Sequence, residues 1–413
     1  MTDGYLGKKE YNMRKKKLAV LGRGTAGVLS MAQLINRGPV AQDAEIEWYF
    51  DSNVKPQAVG EGSTLDVPST LLKTIGFFHN NLHRIDGTVK QSIRKMNWGK
   101  GNDFYHSFPP PAVGYHFNAI ELQKYIFETL KDQVTLIDQN ITSDQIDADY
   151  IIDCSGTPTN ADDIETTKYI PVNAAYVTQC YWELPRFFDT LTIARPYGWV
   201  FGIPLKNRCS IGYMFNDNIN SVEEVKEDVK NIFDEFNLIP STTTNELHFK
   251  NYHRKVNFTE RVAYNGNASF FLEPLEATTL SAVILVNKLA HDIIKNPSWK
   301  SRNNFMYLDR LKKTERMIMF HYFAGSKFKT PFWDYAEERG RTCLEEAVTD
   351  NNWMKKYELS KQVDIKNTTG LVDELQRMNY KDNGGEDWST WNYYANLSSM
   401  GLDIYDKIDA LKQ

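Results

Sequence analysis

Cysteine is scarce in this chain: four in 413 residues, at Cys154, Cys180, Cys209 and Cys343. No two of them form a CxxC pair, so a zinc ribbon or a disulfide framework is not expected, and a reducing cytoplasm fits. Histidine is also sparse, with eight in the chain and no HExxH. His79 and His83 have the spacing of helical metal ligands, but their Asn/His surroundings read as a loop, so no metal site is expected. No stretch reaches the roughly 18 apolar residues of a membrane span. The polar N-terminus lacks the charged-then-apolar order of a secretory signal. Positive charge is short too. The formal net charge is −5, which argues against a nucleic-acid partner. The basic run Arg14-Lys15-Lys16-Lys17 reads as a solvated lead-in to a strand.

What remains is a chain with 41% hydrophobic and 24% charged residues, the balance of a soluble globular protein long enough for a large core. Aromatic residues make up 13%, with nine tryptophans. That supply suits a protein that stacks flat rings, and equally an aromatic-rich core.

The most informative stretch is Leu18-Ala-Val-Leu-Gly-Arg-Gly-Thr-Ala-Gly27. A short apolar strand runs into a GxGxxG loop. Gly22 allows a tight turn, Gly24 lets backbone amides approach a pyrophosphate, and Gly27 lets the next helix pack on the strand. The helix start then turns its positive end towards the phosphates. The helical pattern runs to about Asn36 and stops at Gly38-Pro39. A second strand, Glu45 to Phe50, ends at Asp51. That acid follows Gly27 at about the 20-residue separation of a ribose ligand.

Further along, Gly60, Gly62 and Ser63 leave room for backbone to approach a flat ligand. A helix is expected from Pro68 to Ile75. Lys90 sits between apolar neighbours, where spacing alone favours a snorkelling surface lysine. An amphipathic helix covers roughly Ile120 to Leu130. The strand Ala148 to Asp153 closes on the small-residue turn Cys154-Ser-Gly156. From Pro171 to Phe215 the pattern alternates, as in antiparallel strands. An acidic amphipathic helix spans Ser221 to Phe236. Pro274 and the threonines Thr278 and Thr279 suit the start of a long helix with a 3.6-residue apolar face. Residues 300 to 340 look helical. The tail from Val348 to Gly385 reads as loop-heavy, and a last apolar segment runs from Trp388 to Leu402.

Taken together, these motifs resemble the flavin-dependent tryptophan halogenase family, nearly end to end. Gly22-Arg-Gly-Thr-Ala-Gly27 is similar to the family's GxGTAG loop, and Val59-Gly-Glu-Gly-Ser63 to its GVGEAT segment, with Gly62 for alanine. Asp86-Gly-Thr-Val-Lys-Gln-Ser-Ile-Arg-Lys-Met-Asn-Trp98 resembles the segment that carries the family's active-site lysine, which picks out Lys90. Gly198-Trp-Val-Phe-Gly-Ile-Pro204 resembles GWxWxIP. Phe271-Leu-Glu-Pro-Leu-Glu-Ala-Thr-Thr279 is similar to the segment with the family's catalytic glutamate and halide site. The Met400-Gly401 pair after a tryptophan-rich run also looks like the family.

The resemblance implies a mixed α/β fold: a Rossmann-like FAD-binding core of the monooxygenase/halogenase type, an antiparallel sheet and a helical C-terminal substrate region. Residues 1–330 would form the core, with about 15–160 and 255–300 on FAD and 165–250 in the sheet. Residues 331–413 would form a helical module on the substrate side. Gly22, Gly24, Thr25, Ala26, Gly27, Asp51, Gly60, Gly62 and Ser63 would hold FAD. Trp199, Phe201, Ile203 and Pro204 would separate flavin from substrate. Thr278 and Thr279 would sit at the halide. Reduced FAD and O₂ would turn halide into hypohalous acid, and Lys90 and Glu276 would direct it to an electron-rich aromatic. A separate NADH-dependent flavin reductase is implied, since the chain shows one dinucleotide loop. A homo-oligomer is compatible with the sequence.

Four positions depart from the family pattern: Gly62, Phe201 for a tryptophan, Ala277 for a serine, and Thr279 for a glycine. With the chain's shorter length, they leave tryptophan unassigned as substrate and lean towards bromide or iodide. A flavin monooxygenase that hydroxylates its substrate, or a non-catalytic flavin-binding relative, stays open. The Asn/Lys/Phe/Tyr-rich usage points to an AT-rich source such as a phage, whose member would work in the host cytoplasm.

Overall fold

The computed structural model describes residues 15–36, 43–58, 60–101, 103–108, 111–361, 390–401 and 403–412. The glycine-loop strand Lys16–Leu21 lies at the centre of a five-stranded parallel sheet. Its neighbours are Ala44–Phe50 on one side and Tyr150–Asp153 on the other, all in parallel register. Thr135–Asp138 and Val262–Tyr264 form the two edges, again parallel. A parallel sheet needs cover on both faces. Four residues of the central strand, Leu18 to Leu21, are accordingly all buried and apolar. The Thr25–Asn36 helix packs on this sheet and against the long Thr279–Lys295 helix. Sandwiched in this way, it is buried continuously from Gly27 to Leu34 rather than along one stripe.

A second, seven-stranded sheet runs in the order Ile239–His248, Ala174–Tyr181, Arg208–Phe215, Gly198–Pro204, Thr190–Arg195, Ser92–Met96, Phe104–Ser107. It is antiparallel apart from one pair: Thr190–Arg195 lies parallel to Ser92–Met96. That pairing draws the Lys90 segment into this sheet, and Lys90 itself ends a short strand, Thr88–Lys90, paired with Gly114–His116. The Val222–Glu235 helix covers part of the sheet and starts with a reciprocal capping box between Ser221 and Glu224.

Several expected elements appear with small shifts. The Asp66–Ile75 helix ends at Gly76 in the left-handed conformation, φ 65°. Ala119–Leu130 is capped by Asn118, whose side chain accepts from the amides of Ile120 and Glu121. Thr279–Lys295 begins without a side-chain cap, and Pro274 lies before it in a turn closed by Ala277 N–H on the Pro274 carbonyl at 2.9 Å.

Two expectations change and one is refined. The His79–His83 stretch is not a loop but part of a 3₁₀ helix, His79–Ile85. The 300–340 region is two helices, Lys300–Ala324 and Pro331–Ala347. The tail is helical over Asn351–Lys361, with Trp353 and Tyr357 buried; residues 362–385 lie outside the described residues. So do Val59, Trp388, Leu402 and the side chains of Trp391 and Tyr394. The Thr390–Ser399 helix buries Tyr393 and Leu397. The Met400 carbonyl just beyond it accepts from Lys100 and Gly101 N–H at 2.9 and 3.0 Å. Among the described residues, no helix is long and apolar enough to cross a membrane. Nor, among them, do three or more His, Cys, Asp or Glu gather as a metal site.

Candidate functional site

The glycine loop is built by close backbone contacts. Gly22 takes φ 108°, donates to the Tyr49 carbonyl at 2.8 Å, and accepts from Trp48 Nε1 at 2.8 Å. A Cβ on Gly27 would lie 2.2 Å from the Gly22 carbonyl oxygen. Helix and strand therefore approach more closely than any side chain permits. Gly24 differs: nothing lies within 4 Å of a Cβ built there. Its open side faces a cavity of about 720 Å³, lined also by Arg23, Thr25 and Ala26. The first-turn amides of a helix have no partners within the helix, so the cavity meets an anion-binding end. Asp51 lines the same space, with Oδ1 accepting from Asn53 N and Nδ2 at 2.8 and 2.9 Å. Arg23 lays its guanidinium over the Phe50 and Phe127 rings at 4.7 and 4.9 Å. The cavity thus offers a glycine cradle, an acid at a strand end and a helix start, the donor set of a dinucleotide.

Gly60 and Gly62 line the cavity from a second segment. Between them the buried Glu61 anchors that segment to the seven-stranded sheet. It accepts from Arg208 at 2.6 Å and from Ser210 Oγ at 2.5 Å. Ser63 is not among the residues that line the cavity. Its Oγ accepts from Tyr115 N–H at 2.7 Å, and its carbonyl accepts from Lys90 Nζ at 3.2 Å.

Trp199, Phe201 and Ile203 alternate along one strand and line the cavity together. Pro204 does not line it; its carbonyl accepts from Thr88 Oγ1 at 2.8 Å. The Phe201 ring lies over Gly212, where a Cβ would come within 2.1 Å of it. Trp199 donates through Nε1 to Glu273 Oε2 and to Tyr322 Oη, both at 3.0 Å.

Lys90 is 2% exposed and reaches the cavity. It is no surface lysine. Burial lowers its pKa to about 8, against the pull of Glu276. Among the described residues its side chain has one hydrogen bond, to the Ser63 carbonyl, and it sits 5.8 Å from the Phe108 ring centre. Thr279, Leu275 and Ala277 line the cavity near the long helix, but Thr278 and Glu276 do not. Thr278 is buried as the helix N-cap residue, its carbonyl accepting from Ala282 N–H at 3.0 Å. Glu276 turns instead to Lys95, at 2.7 Å, and His321 Nε2, at 3.0 Å. Burial would raise its pKa, but the charge of Lys95, first among the opposing groups, holds it well below the usual carboxylate range.

Sequence reasoning missed Lys95, His106, Glu273, His321 and Asn396. Ile93 and Lys95 share one face of their strand, and His106 stands opposite Ile93. His106 is buried, with neither ring nitrogen finding a partner among the described residues, and its pKa falls to about 4, through burial and then Lys95. His321 was visible in principle, as the one imidazole within the largely apolar run Met317 to Ala324. Lys95 carried no such signal, because charged residues recur throughout its segment.

The sequence profile of the tryptophan halogenase family matches residues 17–142 and 127–362. Tryptophan 7-halogenase RebH of Lentzea aerocolonigenes is 24% identical over 344 residues, covering 76% of this chain and 62% of that protein. Tryptophan 6-halogenase ThaL of Streptomyces albogriseolus is 21% identical over 357 residues, 78% of this chain and 64% of that one. The chain thus spans under two thirds of the length of these curated relatives. The crystal structure of a tryptophan 6-halogenase (SttH) from Streptomyces toxytricini has the same fold, with TM-score 0.74, 15% identity and 96% of each chain covered. A profile match over most of the chain, from residue 17 to residue 362, places this chain in the tryptophan halogenase family.

Proposed function

We propose that the chain is a flavin-dependent halogenase acting on an electron-rich aromatic substrate of the indole or phenol type. The observation that carries the reading is Lys90. A buried lysine, with one hydrogen bond and a lowered pKa, stands on the wall of a dinucleotide-sized cavity. An amine held partly neutral near neutral pH can take up or steer an electrophilic halogen, which a surface ammonium cannot.

Bound FAD, supplied reduced, would with O₂ oxidise a halide to hypohalous acid. The chain's own residues suit the remaining tasks. Gly24, Thr25, Ala26 and Gly60 would hold the diphosphate, and Asp51 the ribose. Trp199, Phe201 and Ile203 would keep the aromatic substrate off the isoalloxazine. Thr279, at the start of a helix, would face the halide with backbone amides. Its side chain, in place of glycine, favours bromide or iodide over chloride. The single dinucleotide loop supports a separate NADH-dependent flavin reductase as partner.

The test runs the protein with reduced FAD, O₂ and an indole or phenol, in chloride, bromide or iodide, and reads product mass. A halide-dependent halogen gain, lost in Lys90→Ala while flavin binding is kept, supports the reading. Gain of one oxygen without halide makes the protein a hydroxylase, and no product with bound flavin makes it a non-catalytic relative.

A further inference from the structure

The strand Ser92–Met96 carries a second buried lysine that the halogenase reading does not use. Lys95 has no exposed surface. An ammonium has three N–H donors, and here each has an acceptor. Glu276 Oε1 lies at 2.7 Å, His321 Nε2 at 2.5 Å and Asn396 Oδ1 at 2.5 Å. His321 Nδ1 lies 3.1 Å from the Met317 carbonyl. That contact places the ring proton on Nδ1 and leaves Nε2 as the acceptor Lys95 needs. The three acceptors come from three separate parts of the chain: the turn before Thr279–Lys295, the Lys300–Ala324 helix and the Thr390–Ser399 helix. Among the described residues, Lys90 makes one such bond. There, one buried lysine keeps donors in reserve and the other is saturated.

We propose that Lys95 is a positioning residue: it keeps Glu276 an ionised carboxylate in one orientation beside the Lys90 end of the cavity, and ties it through Asn396 to the Thr390–Ser399 helix. The inference rests on the halogenase reading. No bond is made or broken at Lys95, in contrast to Lys90.

Glu276 is 5% exposed, and a carboxyl so buried takes up a proton unless a cation opposes it. The titratable groups that face it are Lys95 from its strand, His321 from the Lys300–Ala324 helix, His106 from the strand beside Lys95, and Lys90 farther off. Burial and the charge of Lys95 both disfavour protonation of His106 and of His321. Burial lowers the Lys95 pKa as well, but Glu276 opposes that shift through its charge and its hydrogen bond, so among the described residues Lys95 is the ammonium in contact with Glu276. Its charge sets both the ionisation and the aim of the carboxylate. Without it, Glu276 faces two imidazoles and a more distant amine, and it protonates as the pH falls.

The experiment compares wild type, Lys95→Gln and Lys95→Arg as full chains, each checked for FAD binding and folded spectra. The readout is the pH profile of kcat and KM in the halogenation assay. In Lys95→Gln, kcat is expected to fall about 10- to 100-fold, the size of a small misplacement of a reacting group. KM should change little, and a new acidic limb should appear. Lys95→Arg should restore most of kcat and remove the limb. Unchanged kcat and profile in Lys95→Gln would overturn the proposal, as would a loss equal at every pH in both variants. Should Lys95→Gln fail to fold, infrared difference spectra of wild type against Glu276→Gln decide. At about pH 5, near the ordinary carboxyl range, an ionised carboxylate band supports the proposal and a protonated carboxyl band refutes it. A wild type that makes no halogenated product sinks the halogenase reading itself, an outcome distinct from each of these.

Discussion

Trp199 donates its indole N–H to Oε2 of Glu273 at 3.0 Å, and neither residue is more than 1% exposed. Tyr322 donates to the same oxygen at 2.8 Å, while Oε1 has no partner among the described residues. The wall of the cavity therefore stands on a buried carboxyl, whose pKa burial raises to about 8 despite those two donors. The folded chain keeps this proton up to about pH 8, whereas the unfolded chain releases it near 4.3. Between those values the native state binds more protons, so its stability must fall as pH rises. Denaturant midpoints measured from pH 5 to 8 should drop by up to about 1.4 kcal/mol per pH unit from this group. Glu273→Gln, neutral at every pH, should flatten that part of the slope. An unchanged slope in the variant would show Glu273 to be ionised.

Lys90 titrates in the opposite sense for activity. Its neutral form grows as pH rises through about 8, so the initial halogenation rate should climb between roughly pH 7 and 9. Flavin affinity, set at the glycine loop, should not follow it. Lys90→Arg keeps a charge that does not titrate in this range. It should be inactive across the whole profile, which separates the need for an amine from the need for a cation.

The glycine loop gives a paired prediction. A Cβ at Gly27 would meet the Gly22 carbonyl oxygen at 2.2 Å, and backbone cannot swing aside as a side chain does. Gly27→Ala should cost about 1–3 kcal/mol as an overpacking change, and should weaken FAD binding by tilting the helix. At Gly24 a Cβ meets nothing within 4 Å. Gly24→Ala should leave the thermal midpoint almost unchanged yet still lower FAD affinity, because the methyl fills the space left for the ligand. Melting curves and flavin titrations on the two variants separate a fold glycine from a ligand glycine.

These contrasts show which features the chain advertises. The parallel core was readable because a four-residue apolar strand, three glycines and Asp51 obey local rules of turn and approach. Trp199, Phe201 and Ile203 were readable only through the resemblance of Gly198–Pro204 to GWxWxIP, and their alternation in one strand brings all three to the cavity. The Lys95 cluster was not, because its members are far apart in sequence and join only when Ser92–Met96 pairs with Thr190–Arg195 and the Thr390–Ser399 helix closes over it. Burial reversed the reading of Lys90. Spacing alone favours an exposed lysine there, and the Gly114–His116 and Ser63 segments cover it.

The turn before the long helix carries the last prediction. Ala277 adopts φ 52°, a left-handed conformation that costs an L-residue about 1–2 kcal/mol. It sits between Glu276, held by Lys95, and Thr278, the N-cap residue, and its own N–H closes the turn on Pro274. Glycine would relieve the strain but add about 0.4–1 kcal/mol of unfolded-chain entropy. Ala277→Gly should therefore shift stability by no more than about 1 kcal/mol. A β-branched residue fits this conformation worse, so Ala277→Val should destabilise by about 1–3 kcal/mol. With Lys95 intact, Ala277→Gly should keep halogenation within a few-fold of wild type, since the carboxylate is held from its far side. A large loss of kcat in that variant, with the melting midpoint preserved, would mean that the strained turn, rather than the Lys95 contact, aims Glu276.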